Sequence, residues 1–407
     1  MKNKNCSFSS SLIIIFGGGV HQVPYVKFCQ KKKIQTLVID RNPRCPAKEY
    51  ANLFLNIDTP NSKSTMVYNS IKNIVPKSNK LGVLVAGVEL AILGAYIAKK
   101  FKIKGINETS ANFATNKIIR AKKFKFYKIP YANFQIVNNL NNLKKKFPFV
   151  IKTEFGSGSR GVRVISSSLD LQYAKKHLKN LNNSKYLVED FLNGHEISIE
   201  AFIYVGKFHY YCFAIRDIKI THRGKLIEYG SISDPNYDTK KLKLVKSAFE
   251  KACLKLGLTE GPVKGDILLN ETGPFVLEVA ARSAPLAPLI SNKVYGFDMV
   301  SNHIKWCLGM RPSFKSIIKN FSKTKPVCHR YLSHKKGEII SIKGIDRVKK
   351  SKNVIKLVIL RNLKFPMKID EQTNTNRILY LVTTGIDAVR ARLNADKCLS
   401  NIHITYK

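Results

Sequence analysis

GDILLNETGPFVLEVAAR, residues 265–282, is the stretch whose reading decides the fold. Two apolar runs, 266–269 and 275–279, flank a short polar loop holding Gly273 and Pro274, the pattern of a β-hairpin. With Leu269 opposite Phe275, the register sets Asp266 opposite Glu278. Directly opposed side chains share a face, their Cβ atoms roughly 4.5–5.5 Å apart. Two carboxylates that close repel each other unless a cation lies between them. A divalent metal is the usual remedy, because Mg²⁺ (or Mn²⁺) chooses carboxylate oxygens and brings phosphates along. Arg282, four residues past Glu278, adds a fixed positive charge at the same edge. The hairpin is a candidate metal–nucleotide site. A solvent-facing acidic pair on an ordinary ribbon is the alternative, and a phosphate site and an adenosine site elsewhere decide between them.

With 407 residues the chain is long enough for two or three domains with well-formed cores. An apolar content of 44% and a charged content of 24% fall in the globular range and exclude wholesale disorder. Lys and Arg number 70 against 27 Asp and Glu, a formal net charge of +43 that favours anionic partners in general. The basic residues are nonetheless dispersed, mostly as Lys among abundant Asn and Ile, as an AT-rich coding sequence would produce. A nucleic-acid partner is not expected from that pattern. The eight cysteines (6, 29, 45, 212, 253, 307, 328 and 398) show no CxxC spacing, against structural zinc and against a disulfide framework. Reduced thiols in a cytoplasmic protein are the simplest reading. The apolar run 12–16 is too short for a signal peptide. The apolar segment 81–98 carries Glu89 and three glycines and reads as a strand followed by a helix, so no membrane association is expected.

The first hundred residues alternate strand and helix signals. SLIIIF (11–16), TLVID (36–40) and LGVLVAG (81–87) read as strands, with helical spacing over 22–32 and a helix ending near Lys100. Such alternation implies a parallel sheet with crossover helices, an α/β domain. Gly17, Gly18 and Gly19 after the first strand, with Asp40 ending the second, partly match a dinucleotide-binding turn but lack its last glycine. A glycine turn serving only the scaffold is the favoured account. A second region begins near Asn116. Strands at 147–152 and 162–166 flank GSGSRG (156–161); a helix over 169–181 follows, then YLVEDFLNGHEISIEAFIYV (186–205), in which Ile197, Ile199 and Ala201 alternate with Ser198 and Glu200. A helix is expected over 298–308, ending at Gly309. Beyond Pro326 come several short strands, a helix over 383–396 and a last strand near His403. Pro312 and Pro326 bracket the expected boundary.

Gly156, Ser157, Gly158, Ser159 and Gly161 form a loop whose backbone amides can approach phosphate oxygens, with Lys152 at the end of the strand before it. A hairpin tip rich in small residues is the alternative. Acidic residues from Glu189 to Glu196 stand out in so basic a chain, and a carboxylate such as Glu196 is a natural acceptor for ribose hydroxyls.

Four segments in order, 12–52, 106–130, 185–202 and 263–282, resemble the ATP-grasp superfamily, and especially its carboxylate–amine ligases related to L-amino acid ligases and to the biotin carboxylase and carbamoyl phosphate synthetase group. The resemblance implies a Rossmann-like leading domain over 1–115, an ATP-grasp domain over 116–312 and a small C-terminal α+β domain over 313–407. It implies that Lys117 and Lys152 contact ATP phosphates, and that Glu189 and the backbone of Leu192 read adenine. Glu196 would hold the ribose, Asp266 and Glu278 would bind Mg²⁺, and Arg282 would steady the carboxylate or acyl phosphate. The implied partners are a small carboxylate and an amine, and ligases of this type are often homodimers. Three positions depart from the family pattern. Ala280 stands where Asn often supplies a further metal ligand, SAPLAP (283–288) replaces a Gly-Gly, and Asn116 replaces an Asp. Two other classes compete: a nicotinamide-dependent oxidoreductase built on the N-terminal glycines, and a basic nucleic-acid-binding protein. An ATP-binding member that has lost catalysis is a fourth reading. The segment around Arg216, Glu228 and Ser231 is a candidate substrate pocket.

Overall fold

In the computed structural model SLIIIF forms β1 (Ser11–Phe16), a strand with every residue buried. Burial on both faces suits the centre of a parallel sheet, where continuous β-branched runs belong. β2 (Gln35–Asp40), β3 (Leu53–Asn56) and β4 (Lys80–Val85) complete it in the order β3-β2-β1-β4, all pairs parallel, as the sequence pattern implies. Helices α1 (Val23–Lys31) and α2 (Ser64–Ile74) supply crossovers, and α3 (Ala91–Lys100) follows the last strand. Gly94 lets α3 lie close against β4: a Cβ there would meet Val85 at 2.4 Å. The structure describes residues 10–76, 80–141, 143–179, 185–234, 237–318, 324–333, 338–360, 374 and 376–407.

Two short helices, α4 (Glu108–Thr115) and α5 (Lys117–Phe126), lead into a four-stranded antiparallel sheet. Its members are β5 (Phe134–Val137), β6 (Phe149–Thr153), β7 (Val162–Ile165) and β8 (Tyr186–Asp190), ordered β5-β8-β6-β7. Helix α6 (Ser168–Lys179) packs on β7, and the end of the expected 169–181 helix lies outside the described residues.

The largest sheet has eight strands. β9 (His195–Tyr204), β10 (Lys207–Ile220) and β11 (Leu226–Ser233) are followed by α7 (Thr239–Lys255) and then the hairpin of β12 (Gly261–Asn270) and β13 (Gly273–Ala280). After α8 (Ala287–Tyr295) and α9 (Met299–Cys307) the chain re-enters the sheet through β14 (Val327–Ser333). β15 (Ile339–Lys343), α10 (Ile345–Lys349), β16 (Val354–Ile359), β17 (Arg377–Thr384), α11 (Ala388–Ser400) and β18 (His403–Tyr406) finish the fold. The order is β13-β12-β9-β10-β11-β14-β17-β16, antiparallel throughout, while β15 and β18 pair separately. The sheet therefore runs without a break from the acidic hairpin into the C-terminal segment. The helix expected over 383–396 starts later. Residues 383 and 384 complete β17, and Asp387 caps α11 by accepting from the Arg390 amide at 2.6 Å.

One detail of the hairpin differs from the sequence reading. Leu268, not Leu269, faces Phe275, a slip that on its own would send one of the two carboxylates to the opposite face. A β-bulge restores the alignment: Ile267 pairs with Val276 and Asp266 with Glu278, leaving Leu277 as the extra residue. The sheet's other face is apolar and packs on α7. Ile197, Ile199, Ala201, Val263 and Ile267 are buried there with Phe249. Gly265, between Lys264 and Asp266, faces that helix, and a Cβ on it would meet the Phe249 ring at 2.5 Å. Gly265→Ala is expected to lower stability by about 1–3 kcal/mol through overpacking. A lower urea midpoint with an unchanged m-value is the signature to look for.

Candidate nucleotide and metal site

Between the four-stranded sheet and the eight-stranded sheet lies a cavity of about 1130 Å³, closed at one end by the N-terminal domain. Its lining includes all the residues expected from the sequence: Lys117, Lys152, the 156–159 loop, Glu189, Leu192, Glu196, Asp266, Glu278 and Arg282. Arg216, Glu228 and Ser231 line the same space, together with His329, Tyr331 and Arg377 from the C-terminal segment.

The upper wall is built by the four-stranded sheet. The β6–β7 loop turns on residues with left-handed backbone, Gly156 (φ 129°), Gly158 (φ 62°) and Ser159 (φ 60°). Gly161 closes it: its carbonyl accepts from the Thr153 amide at 2.9 Å, and a Cβ would strike Thr153 Oγ1 at 1.9 Å. The loop is anchored from below, since Lys117 Nζ donates to Gly156 O at 2.8 Å and Asn374 Nδ2 to Gly158 O at 3.3 Å. Gly158 itself faces open space, and a Cβ there would meet nothing within 4 Å. Lys152 ion-pairs with Glu189 at 2.6 Å, and the Tyr131 hydroxyl donates to the other Glu189 oxygen. Burial and the nearby Arg120 lower the Lys117 pKa to about 8.

The lower wall is one face of the large sheet, and its charges alternate in sign. β9 offers Glu196, Ser198 and Glu200, the residues that alternate with the buried Ile197, Ile199 and Ala201. Ser198 pairs with Asp266, and Asp266 with Glu278; one row over, Glu200 pairs with Lys264, and Lys264 with Ala280. Lys264 Nζ lies 2.6 Å from Asp266 Oδ2 and 4.0 Å from Glu278 Oε1. Arg216 on β10 pairs with Glu196, with Asp266 at 3.1 Å and with Glu228 at 3.4 Å, and Arg377 holds Glu228 at 3.0 Å. Asp266 Oδ1 is buried without a hydrogen-bond partner. An orphaned hard oxygen beside Glu278 fits a divalent cation, with the remaining ligands supplied by phosphate and water. Among the described residues no group of three or more His, Cys, Asp or Glu is arranged to hold a metal unaided.

Sequence reasoning missed Lys264, although its place two residues before Asp266 puts both on one face of the strand. It also missed Glu200, whose alternation with buried neighbours carried the same information, and Glu89. The Arg282 guanidinium pairs with Glu89 Oε2 at 2.9 Å from Nη2 and 3.2 Å from Nε, joining the hairpin to the loop after β4. SAPLAP continues that joint: Ser283 forms a parallel bridge with Ala86, and the Gly87 amide donates to Ser283 O at 3.1 Å. Asn116 caps α5, accepting from the Ile119 amide at 3.0 Å while its own amide donates to Glu154 at 2.6 Å. An Asp there would lose that donated bond.

Residues 114–284 match the family model described as an ATP-grasp domain. This segment is an ATP-grasp domain. An uncharacterised protein (y4rH) of Sinorhizobium fredii is 26% identical over 285 residues, 65% of this chain and 56% of that protein. The chain spans about half or less of the length of the curated relatives it matches. Among solved structures the fold is shared by an L-amino acid ligase from Bacillus licheniformis, with a TM-score of 0.81, 16% identity and coverage of 98% and 99% of the two chains. It is shared too by a phosphoribosylglycinamide synthetase from Anaerococcus prevotii, with a TM-score of 0.76, 19% identity and coverage of 98% and 100%.

The N-terminal glycines are occupied by their own surroundings. Asp40, the acid a dinucleotide fold would turn towards a ribose, accepts from the Gly18 amide at 2.6 Å and the Asn42 amide at 2.7 Å. A Cβ on Gly18 would meet Cys45 Sγ at 2.2 Å, so the glycine serves packing within the domain. Among the described residues no helix is long and apolar enough to cross a membrane.

Two carboxylates facing the cavity titrate in opposite directions. Burial raises Glu278, but Lys264, Arg120, Arg282 and Lys117 outweigh it and hold the group well below its usual value. Its stabilising contribution is present above the unfolded carboxylate range and is lost as pH falls through the folded value. Glu200 goes the other way: burial lifts it to about 7, with Asp266 adding, against the Ala284 amide, Lys264 and Arg282. Between about pH 4.5 and 7 the folded state then holds a proton on Glu200 that the unfolded state has released, so this group makes stability fall as pH rises. Glu200→Gln is expected to flatten that part of the profile. Urea midpoints at pH 5 and pH 8 should lie closer together in the variant than in the wild type.

Proposed function

We propose that the chain is an ATP-dependent carboxylate–amine ligase that activates a carboxylate as an acyl phosphate and releases ADP and phosphate. The observation that carries this reading is the convergence of two unlike walls on one cavity. A glycine loop with Lys117 and Lys152 faces the Asp266–Glu278 pair, with Arg282 at the end of the sheet. The ligase and synthetase named among the solved folds give it further support.

Mg²⁺ held by Asp266 and Glu278 would neutralise phosphate charge and align the transferring phosphoryl group. The chain's own groups do the rest. Lys117 and Lys152 stabilise charge on the phosphoryl oxygens, and the backbone amides of the 156–159 loop cover them and exclude water. The backbone from Glu189 to Leu192 receives the adenine edge, and Glu196 accepts from the ribose. Arg282, held in orientation by Glu89, faces the substrate carboxylate. A carboxylate oxygen attacks the γ-phosphorus as the bond to the bridging oxygen of ADP breaks. The amine nitrogen then attacks the acyl carbon and phosphate leaves. Glu200, with its pKa lifted to about 7 and its place beside Ala284, is positioned to take the amine proton. Amino acids are the first carboxylates to try, given the L-amino acid ligase fold.

The test is ADP and phosphate release from Mg–ATP with pooled amino acids and small carboxylates, for the wild type and Asp266→Asn. The expected result is substrate-dependent ADP release that falls about 100-fold or more in the variant, the size of a lost metal contact worth several kcal/mol. ATP binding with no turnover on any pool would leave an ATP-binding protein that is not a ligase. Failure to bind ATP would overturn the assignment.

A further inference from the structure

We infer that Lys264 occupies the place of a second metal ion, so that the site takes one divalent cation and not two; this rests on the ATP-dependent reading above. Three observations carry it. The ammonium lies within reach of both carboxylates that face the cavity, 2.6 Å from Asp266 and 4.0 Å from Glu278. Paired metal ions in phosphoryl-transfer sites stand roughly 3.5–4 Å apart and share bridging carboxylates. A lysine between the same two carboxylates holds a charge in that space already.

The residue opposite Lys264 across the hairpin is Ala280. A side chain with an oxygen there would add a metal ligand, whereas the buried methyl of Ala280 leaves the row to the lysine. A position without an oxygen donor and a lysine ammonium thus stand opposite each other on adjacent strands. Charge gives the third argument. Two carboxylates and one ammonium leave one formal negative charge, enough to attract a single divalent ion beside the unpartnered Asp266 Oδ1. Arg216, 3.1 Å from Asp266, already supplies further positive charge to the same carboxylate, so a second divalent ion would have to displace it or Lys264. Lys264 remains paired with Glu278 and helps keep the two carboxylates facing each other.

Mn²⁺ binding, followed by the loss of the free-ion electron paramagnetic resonance signal, tests this without turnover. Wild type, Lys264→Met and Lys264→Arg are titrated with and without a non-hydrolysable ATP analogue. The expected result is one Mn²⁺ per chain for wild type and Lys264→Arg with the analogue bound, and two for Lys264→Met. Without nucleotide, Lys264→Met should bind Mn²⁺ about tenfold or more tightly than wild type. Equal stoichiometry and equal affinity in all three proteins would overturn the role of Lys264 while leaving ATP binding intact. Two Mn²⁺ ions in wild type would overturn it directly. No analogue binding by any of them would overturn the ATP reading itself. Lys264→Gln, also uncharged, is the substitute if Lys264→Met does not fold.

Discussion

The site depends on an alternation of charge across one face of a sheet. Glu196, Arg216, Asp266, Lys264 and Glu278 form a continuous chain in which each buried charge touches one of opposite sign. Removing one partner from a buried pair costs about 3–5 kcal/mol, because the other is left uncompensated. Neutralising any one member therefore disturbs its neighbours as well, which makes the face a single electrostatic unit. That unit can exist because the opposite face is apolar where α7 covers it. Ile197, Ile199 and Ala201 seal it against α7 and fix which residues turn towards the cavity.

Positioning is then a matter of strand register. Ser198, Asp266 and Glu278 form one row across three strands; Glu200, Lys264 and Ala280 form the next. The bulge at Leu277 is needed for this, since without it Asp266 and Glu278 could not share a face. The upper wall is held by quite different means, a loop with left-handed backbone tied down by Lys117 and Asn374. The upper wall contributes backbone amides with Lys117 and Lys152, and the lower wall contributes the facing Asp266 and Glu278.

Much of this was legible in the chain. Alternating apolar and polar residues marked the strands, and the pairing of Asp266 with Glu278 emerged although its premise, Leu269 against Phe275, was off by one. A bulge leaves no strong local signature, so the slip and its cancellation could not be read. Two facing carboxylates call for a cation, and the sequence pattern pointed only to one from outside the protein. Lys264 was an answer two residues away, invisible because no local pattern distinguishes one lysine among so many in a chain of this composition. Glu89 was noticed only as a charge that spoils a membrane span. Its partner Arg282 is 193 residues distant, and such contacts appear only when the two domains are assembled. The early start expected for α11 shows the converse. Thr383 and Thr384 are β-branched and extend the strand, and the cap at Asp387 sets where α11 begins.

The pairing of β11 with β14 bears on how this protein can change over evolutionary time. Gly230, Ser231, Ile232 and Ser233 bond to Arg330, His329, Cys328 and Val327, and a Cβ on Gly230 would lie 2.0 Å from the His329 carbonyl. The C-terminal segment is thus stitched residue by residue to the sheet that carries the acidic hairpin, and it brings His329, Tyr331 and Arg377 into the cavity. Removing it as an independent cassette would break a hydrogen-bonded seam and strip those three side chains from the cavity. A lineage altering its chemistry must do so by point changes along a seam whose backbone geometry is already committed, so the two halves are inherited together.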